Sequence, residues 1–167
     1  MSENYGSTPL GAQMAMIGEL ETLFEGRRFW GQGERKALKV FCQDVPIPTD
    51  DDDDDDPEAA LAPFVVVTRT GTEIPTPESP QVLQMELTIC CYDDGKNREG
   101  FMDVANIQEA ILQHFNRHPY YGNYFTVLWP MASAMQDDDT HPYYWGNVAL
   151  SVTTQLAPTN KEWEDLL

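Results

Sequence analysis

Acidic runs are the first residues in this sequence whose chemistry suggests a function. Asp50 to Asp56 supply seven consecutive carboxylates, and carboxylate oxygens are ligands that calcium prefers. Calcium loops, however, space their ligands and include a glycine that turns the chain. Asp137 to Asp139 and His141 form a second acidic group, but consecutive side chains diverge and the adjacent Pro142 is typical of a hairpin tip. The sequence therefore predicts a solvated linker and a hairpin loop rather than two metal sites.

Histidine and cysteine spacing suggests metal binding only weakly. His114 and His118 lie four residues apart, as helix-borne ligands do, but the HExxH context is missing and Pro119 indicates that the helix ends there. Cys90 and Cys91 lack CxxC spacing, and adjacent side chains on a strand point to opposite faces. We therefore expect packing roles and reduced thiols, with no disulfide framework.

Motifs for nucleophilic catalysis and for phosphate binding are missing from the sequence. It contains neither a GxSxG elbow nor a glycine loop that ends in Lys-Ser or Lys-Thr. Asp93 and Asp94 could act as an acid and a base, but between a strand and a helix such residues more often form turns and caps. A metal-dependent hydrolase built on these acids and on Asp137 to Asp139 is one alternative. The sequence favours a protein with no catalytic centre, cofactor or metal.

Length and charge restrict the class further. A chain of 167 residues with 41% hydrophobic residues can form one domain with a single core. No apolar stretch approaches the roughly 18 to 20 residues of a membrane span, and the polar start resembles no signal peptide, so we expect a cytosolic protein. The net charge of −18 disfavours specific binding to DNA or RNA, because it repels phosphates.

Apolar periodicity predicts the elements that carry these residues. Strict alternation from Val82 to Tyr92 predicts a strand with one buried face. From Asn97 to Phe115 the apolar residues fall on one stripe of a helix. That stripe contains Phe101, Val104, Ile107, Ile111 and Phe115. The other predicted elements are a helix over Pro9–Phe24 and strands over Ala37–Val45, Phe64–Arg69, Tyr124–Trp129 and Tyr144–Gln155.

This order of elements predicts an α+β domain, in which an antiparallel sheet of four to five strands carries both helices on one face. Arg27 to Glu34 and Gly71 to Pro80 are predicted loops. Residues 46–63, which contain the Asp run, are predicted to be a flexible insertion, and residues 157–167 a flexible tail.

Four segments also carry a family resemblance: APFVVVTRTG, LQMELTICCYDDGKNREGFMDVANIQEAILQHF, YFTVLWP and YYWGNVALSVTTQ. Together with the order of elements from Pro9 to Gln155, they resemble the tail terminator or tail-completion proteins of long-tailed bacteriophages. Head-to-tail joining proteins are the neighbouring possibility. The Asp run departs from the pattern of the family and has no assigned role.

The resemblance implies a ring, typically a hexamer, at the end of the tail tube in the virion. Such a ring stops tail polymerisation and offers a surface for head attachment, so its partners are the tail tube protein and a head-completion or connector protein. No catalytic residues come with the family. DNA would pass through the lumen without specific binding, and an acidic lining lets phosphates slide without sticking.

A closed ring requires a heterologous interface, and aromatic residues are enriched at interface centres. We expect that interface at three places: the loop with Phe29 and Trp30, an exposed sheet edge over Tyr144–Gln155, and the hairpin around Met131–Pro142. The candidate residues are Phe29, Trp30, Met131, Asp137, Asp138, Asp139, Tyr144 and Trp145.

An acidic DNA mimic that blocks a host nucleic-acid-binding enzyme is the main alternative function. The charge of −18 suits it, since electrostatic steering gives fast association. Much of the acid, however, lies in one predicted flexible run, whereas a mimic needs carboxylates that are held on a rigid surface.

Overall fold

A computed structural model describes residues 8–46 and 61–154 of the chain. The predicted Asp50–Asp56 run and the predicted tail over residues 157–167 lie outside the described residues. In the described part the helices are α1 (Pro9–Leu23) and α2 (Gly100–Arg117). The strands are β1 (Arg28–Trp30), β2 (Arg35–Ala37), β3 (Lys39–Cys42), β4 (Phe64–Glu73), β5 (Val82–Tyr92), β6 (Tyr120–Tyr121), β7 (Phe125–Met135) and β8 (Tyr143–Thr153).

The predicted α+β class is confirmed, but the sheet differs from the predicted one. Six strands form it in the order β3-β4-β5-β8-β7-β6, and β1 and β2 form a separate antiparallel pair. The predicted antiparallel sheet of four to five strands is corrected to a mixed sheet of six strands, because β3 joins it parallel to β4 and the short β6 extends its other side. Lys39 lies beside Phe64 and Cys42 beside Val67, so β3 and β4 run the same way.

α1 begins as its sequence predicts. The Thr8 side chain accepts a hydrogen bond from the backbone N–H of Gly11 at 3.0 Å, and Pro9 occupies the first helical position, where a missing N–H costs nothing. Ala12, Met16 and Leu20 are fully buried and join the core that lies between the helices and the sheet.

α2 packs on the same face of the sheet, as predicted, and it contacts β5, β7 and β8. Four of the five residues in its predicted apolar stripe are fully buried: Val104, Ile107, Ile111 and Phe115. The fifth, Phe101, is 46% exposed, which corrects the stripe. Phe101 lies in the first turn, roughly 80° around the axis from Ile111, the centre of the buried stripe, and therefore at the margin of the buried face.

Several predicted boundaries move for the same reason, namely that strand pairing continues past local turn signals. Residues 71–73 of the predicted Gly71–Pro80 loop belong to β4, and the predicted loop over Arg27–Glu34 contains β1. Ala62 and Pro63, at the end of the predicted flexible insertion, are buried. No helix among residues 8–46 and 61–154 combines the length and the apolar character needed to cross a membrane.

The sheet face opposite the helices carries a second, smaller apolar cluster. Phe64, Val66 and Cys90 are buried there, and four aromatic side chains from three strands pack around them. These aromatic residues are Phe41, Tyr92, Tyr143 and Trp145. The cluster lies at the end of the sheet where β8 begins, which is also where α2 begins.

Candidate functional site

A cleft of about 320 Å³ lies between the first turn of α2 and the connection from β7 to β8. Its walls combine aromatic, acidic and basic side chains. We call it the aromatic cleft, and it is lined by Arg98, Phe101, Met135, Gln136, Asp137, Asp138, Asp139, Thr140, His141, Tyr143, Tyr144 and Trp145. Its volume is sufficient for one long side chain of a partner.

Four polar groups form a network on one wall of the aromatic cleft. The Asp139 carboxylate is paired with the Arg98 guanidinium and also accepts a hydrogen bond from the His141 backbone N–H at 3.2 Å. The His141 ring nitrogen Nδ1 lies 2.9 Å from the Tyr144 hydroxyl. The backbone N–H of His141 and then the Arg98 side chain lower the pKa of Asp139. The Tyr144 hydroxyl and then Asp139 raise the pKa of Arg98, so both charges persist at neutral pH.

Two glycines allow α2 to lie close enough to β8 to form this cleft. A Cβ atom at Gly100 would collide with the ring of Tyr144, which lies against the first turn of α2. A Cβ atom at Gly146 would lie 2.7 Å from Val104 Cγ1 and 2.8 Å from Gln108 Nε2. The Gln108 amide donates to the backbone oxygens of Ala134 and Asn147, which fixes β7 and β8 beside the helix.

Five of the predicted interface residues meet in the aromatic cleft. They are Asp137, Asp138, Asp139, Tyr144 and Trp145. The reason given for two of them was wrong, because Tyr144–Gln155 is not a sheet edge: β8 runs between β5 and β7. The aromatic residues of β8 are half-buried and reach the surface only at the end of that strand.

Phe29, Trp30 and Met131 lie outside the aromatic cleft. Phe29 is 4% exposed and belongs to the core, so its own ring is not available to a partner, which corrects its assignment to the interface. Met131 lies within β7, not in a loop, and packs against the core. Trp30 is half-exposed, and its backbone N–H donates to Asp103 Oδ2 at 2.7 Å.

The true open edges of the sheet lie on its two opposite sides. β6 pairs only with Phe125 and Thr126, so among the described residues no strand covers β7 from Leu128 to Met135. On the other side, β3 pairs with β4 only as far as Val67. No described strand covers β4 from Thr70 to Glu73.

Trp129 is the largest exposed side chain on the open part of β7. It is 55% exposed, and its indole N–H donates to Asn116 Oδ1 at 2.9 Å, which orients the ring beside the end of α2. Sequence periodicity did not single out this residue as a surface feature. An exposed aromatic ring next to unpaired backbone groups is a favourable place for another strand to add.

Positive charge is concentrated on one element, which we call the basic hairpin (β1, β2 and the residues that flank them, Arg27 to Lys39). This segment contains five of the ten Lys and Arg residues of the chain and a single acid, Glu34. Arg35 lies over the Trp30 ring at 4.9 Å and pairs with Asp103 at 3.7 Å. The hairpin is thus attached to α2 through a buried carboxylate. Arg27 and Arg28 are exposed, whereas the half-buried Lys39 donates to the Leu61 backbone oxygen at 3.1 Å.

The cysteines and the remaining acids have structural roles. Cys91 is buried in the main core and Cys90 in the cluster on the opposite face, as their predicted packing roles require. Asp93 forms the predicted turn, since its side chain accepts the Gly95 N–H at 2.9 Å. Within residues 8–46 and 61–154, no group of three His, Cys, Asp or Glu side chains is placed to hold a metal ion.

The sequence did not identify three contributors to this surface. Arg98 lies in a charged turn without any motif, and Phe101 was assigned to the buried stripe. The cations of the basic hairpin belong to no motif. The only sequence signal for this positively charged surface was the excess of Lys and Arg over acids between Arg27 and Lys39. No protein-family model matches the chain, and comparison with curated proteins found no match.

Proposed function

We propose that this chain is a structural protein of a long-tailed bacteriophage. In this proposal it forms a ring of six copies at the head-proximal end of the tail tube, ends tail polymerisation and provides the head-attachment surface. Its partners are the tail tube protein and a head-completion or connector protein. It acts in the virion after assembly in the host cytoplasm.

The observation that carries the proposal is the pair of edges, on opposite sides of one sheet, that no described strand covers. The edge of β7 from Leu128 to Met135 and the edge of β4 from Thr70 to Glu73 differ in sequence and position. A head-to-tail contact requires two different surfaces on opposite sides of a subunit. Such contacts form a closed ring when the rotation between neighbouring subunits divides a full turn evenly. Uncovered edges are otherwise a liability that proteins tend to avoid.

Two further features support the proposal. The segments that resemble tail terminator proteins supply β4, β5, α2, β7 and β8, so the resemblance covers most of the sheet and the helix that packs on it. Half-buried aromatic side chains line the cleft beside the open edge of β7, and aromatic residues are typical of interface centres.

Negative-stain microscopy and sedimentation of the purified protein test the proposal directly. We expect rings with a central hole, and tails assembled without the protein should exceed their normal length. Adding the purified protein to growing tail tubes should stop their elongation, whereas a heat-denatured sample should not.

A protein that stays monomeric at all concentrations and leaves tube elongation unchanged would refute the proposal. A monomer that instead binds a nucleic-acid-binding enzyme tightly, with affinity that falls steeply with salt, would support the DNA-mimic alternative.

A further inference from the structure

Two oppositely charged surfaces flank the first turn of α2. Asp103 holds the basic hairpin through the Trp30 backbone N–H, and Phe101 lines the aromatic cleft. Residues two positions apart on a helix point roughly 200° apart around its axis. The hairpin and the cleft therefore lie on different sides of the helix, and no hairpin residue lines the cleft.

Two cations of the basic hairpin have no ion-pair partner among the described residues. The ion pairs of the described residues join Arg35 to Asp103, Arg98 to Asp139 and His114 to Glu19. Arg28 and Lys36 have no such partner within the described part of the chain. Arg28 is exposed, whereas Lys36 is half-buried on the opposite face of the hairpin, beside Phe29, so Arg28 is the more accessible of the two.

The aromatic cleft carries the complementary charges. Asp139 is engaged by Arg98, but Asp137 and Asp138 have no ion-pair partner among residues 8–46 and 61–154, and both are exposed. The side chains of Tyr144 and Trp145 line the same cleft. Carboxylates beside aromatic rings form a good site for an ammonium or guanidinium group, because both attract a cation.

We propose that the basic hairpin of one copy docks against the aromatic cleft of a second copy, with Arg28 facing Asp137 and Asp138 and Lys36 adding positive charge beside them. This inference rests on the proposed ring and adds a charged contact to the one between the two sheet edges. Because donor and acceptor surfaces differ, the contact is head-to-tail, and each copy in a closed ring uses both. Charge complementarity of this kind steers association and fixes its orientation.

Two double variants test the docking. Arg28→Gln with Lys36→Gln removes two of the five hairpin cations, and Asp137→Asn with Asp138→Asn removes two of the three cleft carboxylates. Two single variants serve as controls. Arg117→Glu makes the net charge more negative by two, as the first double variant does, and Glu21→Lys makes it more positive by two, as the second does. Both residues are exposed and lie outside the two surfaces. Sedimentation velocity at low salt should show self-association weakened at least about tenfold in both double variants and unchanged in both controls.

Mixing the two double variants gives a second readout. The hairpin variant keeps an intact cleft and the cleft variant keeps an intact hairpin, so an equimolar mixture should form heterodimers at concentrations where each variant alone is monomeric. Native mass spectrometry separates these heterodimers from homodimers by mass.

The outcomes separate this inference from the proposed function. Wild-type rings that persist in both double variants would overturn the docking contact while leaving the ring intact. Charge-dependent open oligomers without rings would support the docking contact and refute the tail-end function. A wild-type protein that is monomeric at low salt overturns both.

Discussion

Replacing Gly146 by alanine tests how closely α2 must approach β8. The added Cβ would lie 2.7 Å from Val104 Cγ1, 2.8 Å from Gln108 Nε2 and 3.3 Å from the Ala134 backbone oxygen. Overpacking of this kind costs about 1–3 kcal/mol, because side chains must leave their rotamers. The nearest polar atom, Gln108 Nε2, donates to two backbone oxygens, and leaving buried partners unsatisfied costs about 1–3 kcal/mol more.

We therefore expect Gly146→Ala to lower the free energy of unfolding by about 2–6 kcal/mol, the sum of these two costs. This is a large share of the roughly 5–15 kcal/mol of a typical domain. Gly18→Ala is the matched control. Gly18 lies within α1 with nothing within 4 Å of the added Cβ, so the same change should stabilise the protein by about 0.5–1 kcal/mol through better helix propensity.

Urea unfolding followed by tryptophan fluorescence measures both values, and an unchanged m-value would show that the denatured state is unaffected. If Gly146→Ala unfolds within about 0.5 kcal/mol of the wild type, the close contact between α2 and β8 does not limit stability and the reasoning is wrong. A destabilising Gly18→Ala would indicate that alanine harms this chain for reasons other than local crowding.

Three further predictions concern the core, the cleft and the thiols. Ile111→Ala should cost about 2–5 kcal/mol in urea unfolding because its side chain is fully buried, whereas Met102→Ala, at a residue that is 50% exposed, should cost under about 1 kcal/mol; equal costs would contradict the assigned core. The pKa of Asp139 is lowered, so its contribution to stability is present above the ordinary value of 3.8 and is lost as pH falls through the lower folded pKa. NMR titration should find the midpoint below 3.8, and Arg98→Gln should raise it only in part, since a backbone N–H donor remains; a midpoint unmoved by that change would contradict the pairing. Only Cys42 is exposed among the three cysteines, so a thiol reagent should modify one thiol per native chain and three after denaturation.

Local periodicity predicted those elements whose pattern of apolar residues indicates a strand or a helix without reference to the rest of the chain. The alternation in β5 and the stripe in α2 specify which residues face the core, because the periods of strands and helices are properties of the backbone alone. The cap of α1 was equally local, since Thr8 and Pro9 act within one turn. These features required no knowledge of distant partners.

The pairing of strands was beyond such reasoning. Nothing near Lys39–Cys42 indicates that this strand pairs in parallel with β4, and β8 has the same alternation whether it lies at an edge or in the centre of the sheet. Phe29 is an example of the resulting error. Its neighbouring glycines predicted a surface loop, but the pairing of β1 with β2 places its ring in the core.

The sequence by itself determined the class of the domain, its acidity and most of the core-facing residues of β5 and α2, because composition and periodicity are properties of the sequence alone. Only the tertiary structure decided that Arg98, Phe101, Tyr144 and the Asp137–Asp139 loop share one cleft, and that the basic hairpin lies on the other side of α2. The physical reason is that a surface is assembled from residues far apart in the chain. Their proximity depends on the packing of the whole sheet and on two glycines that let a helix approach it closely.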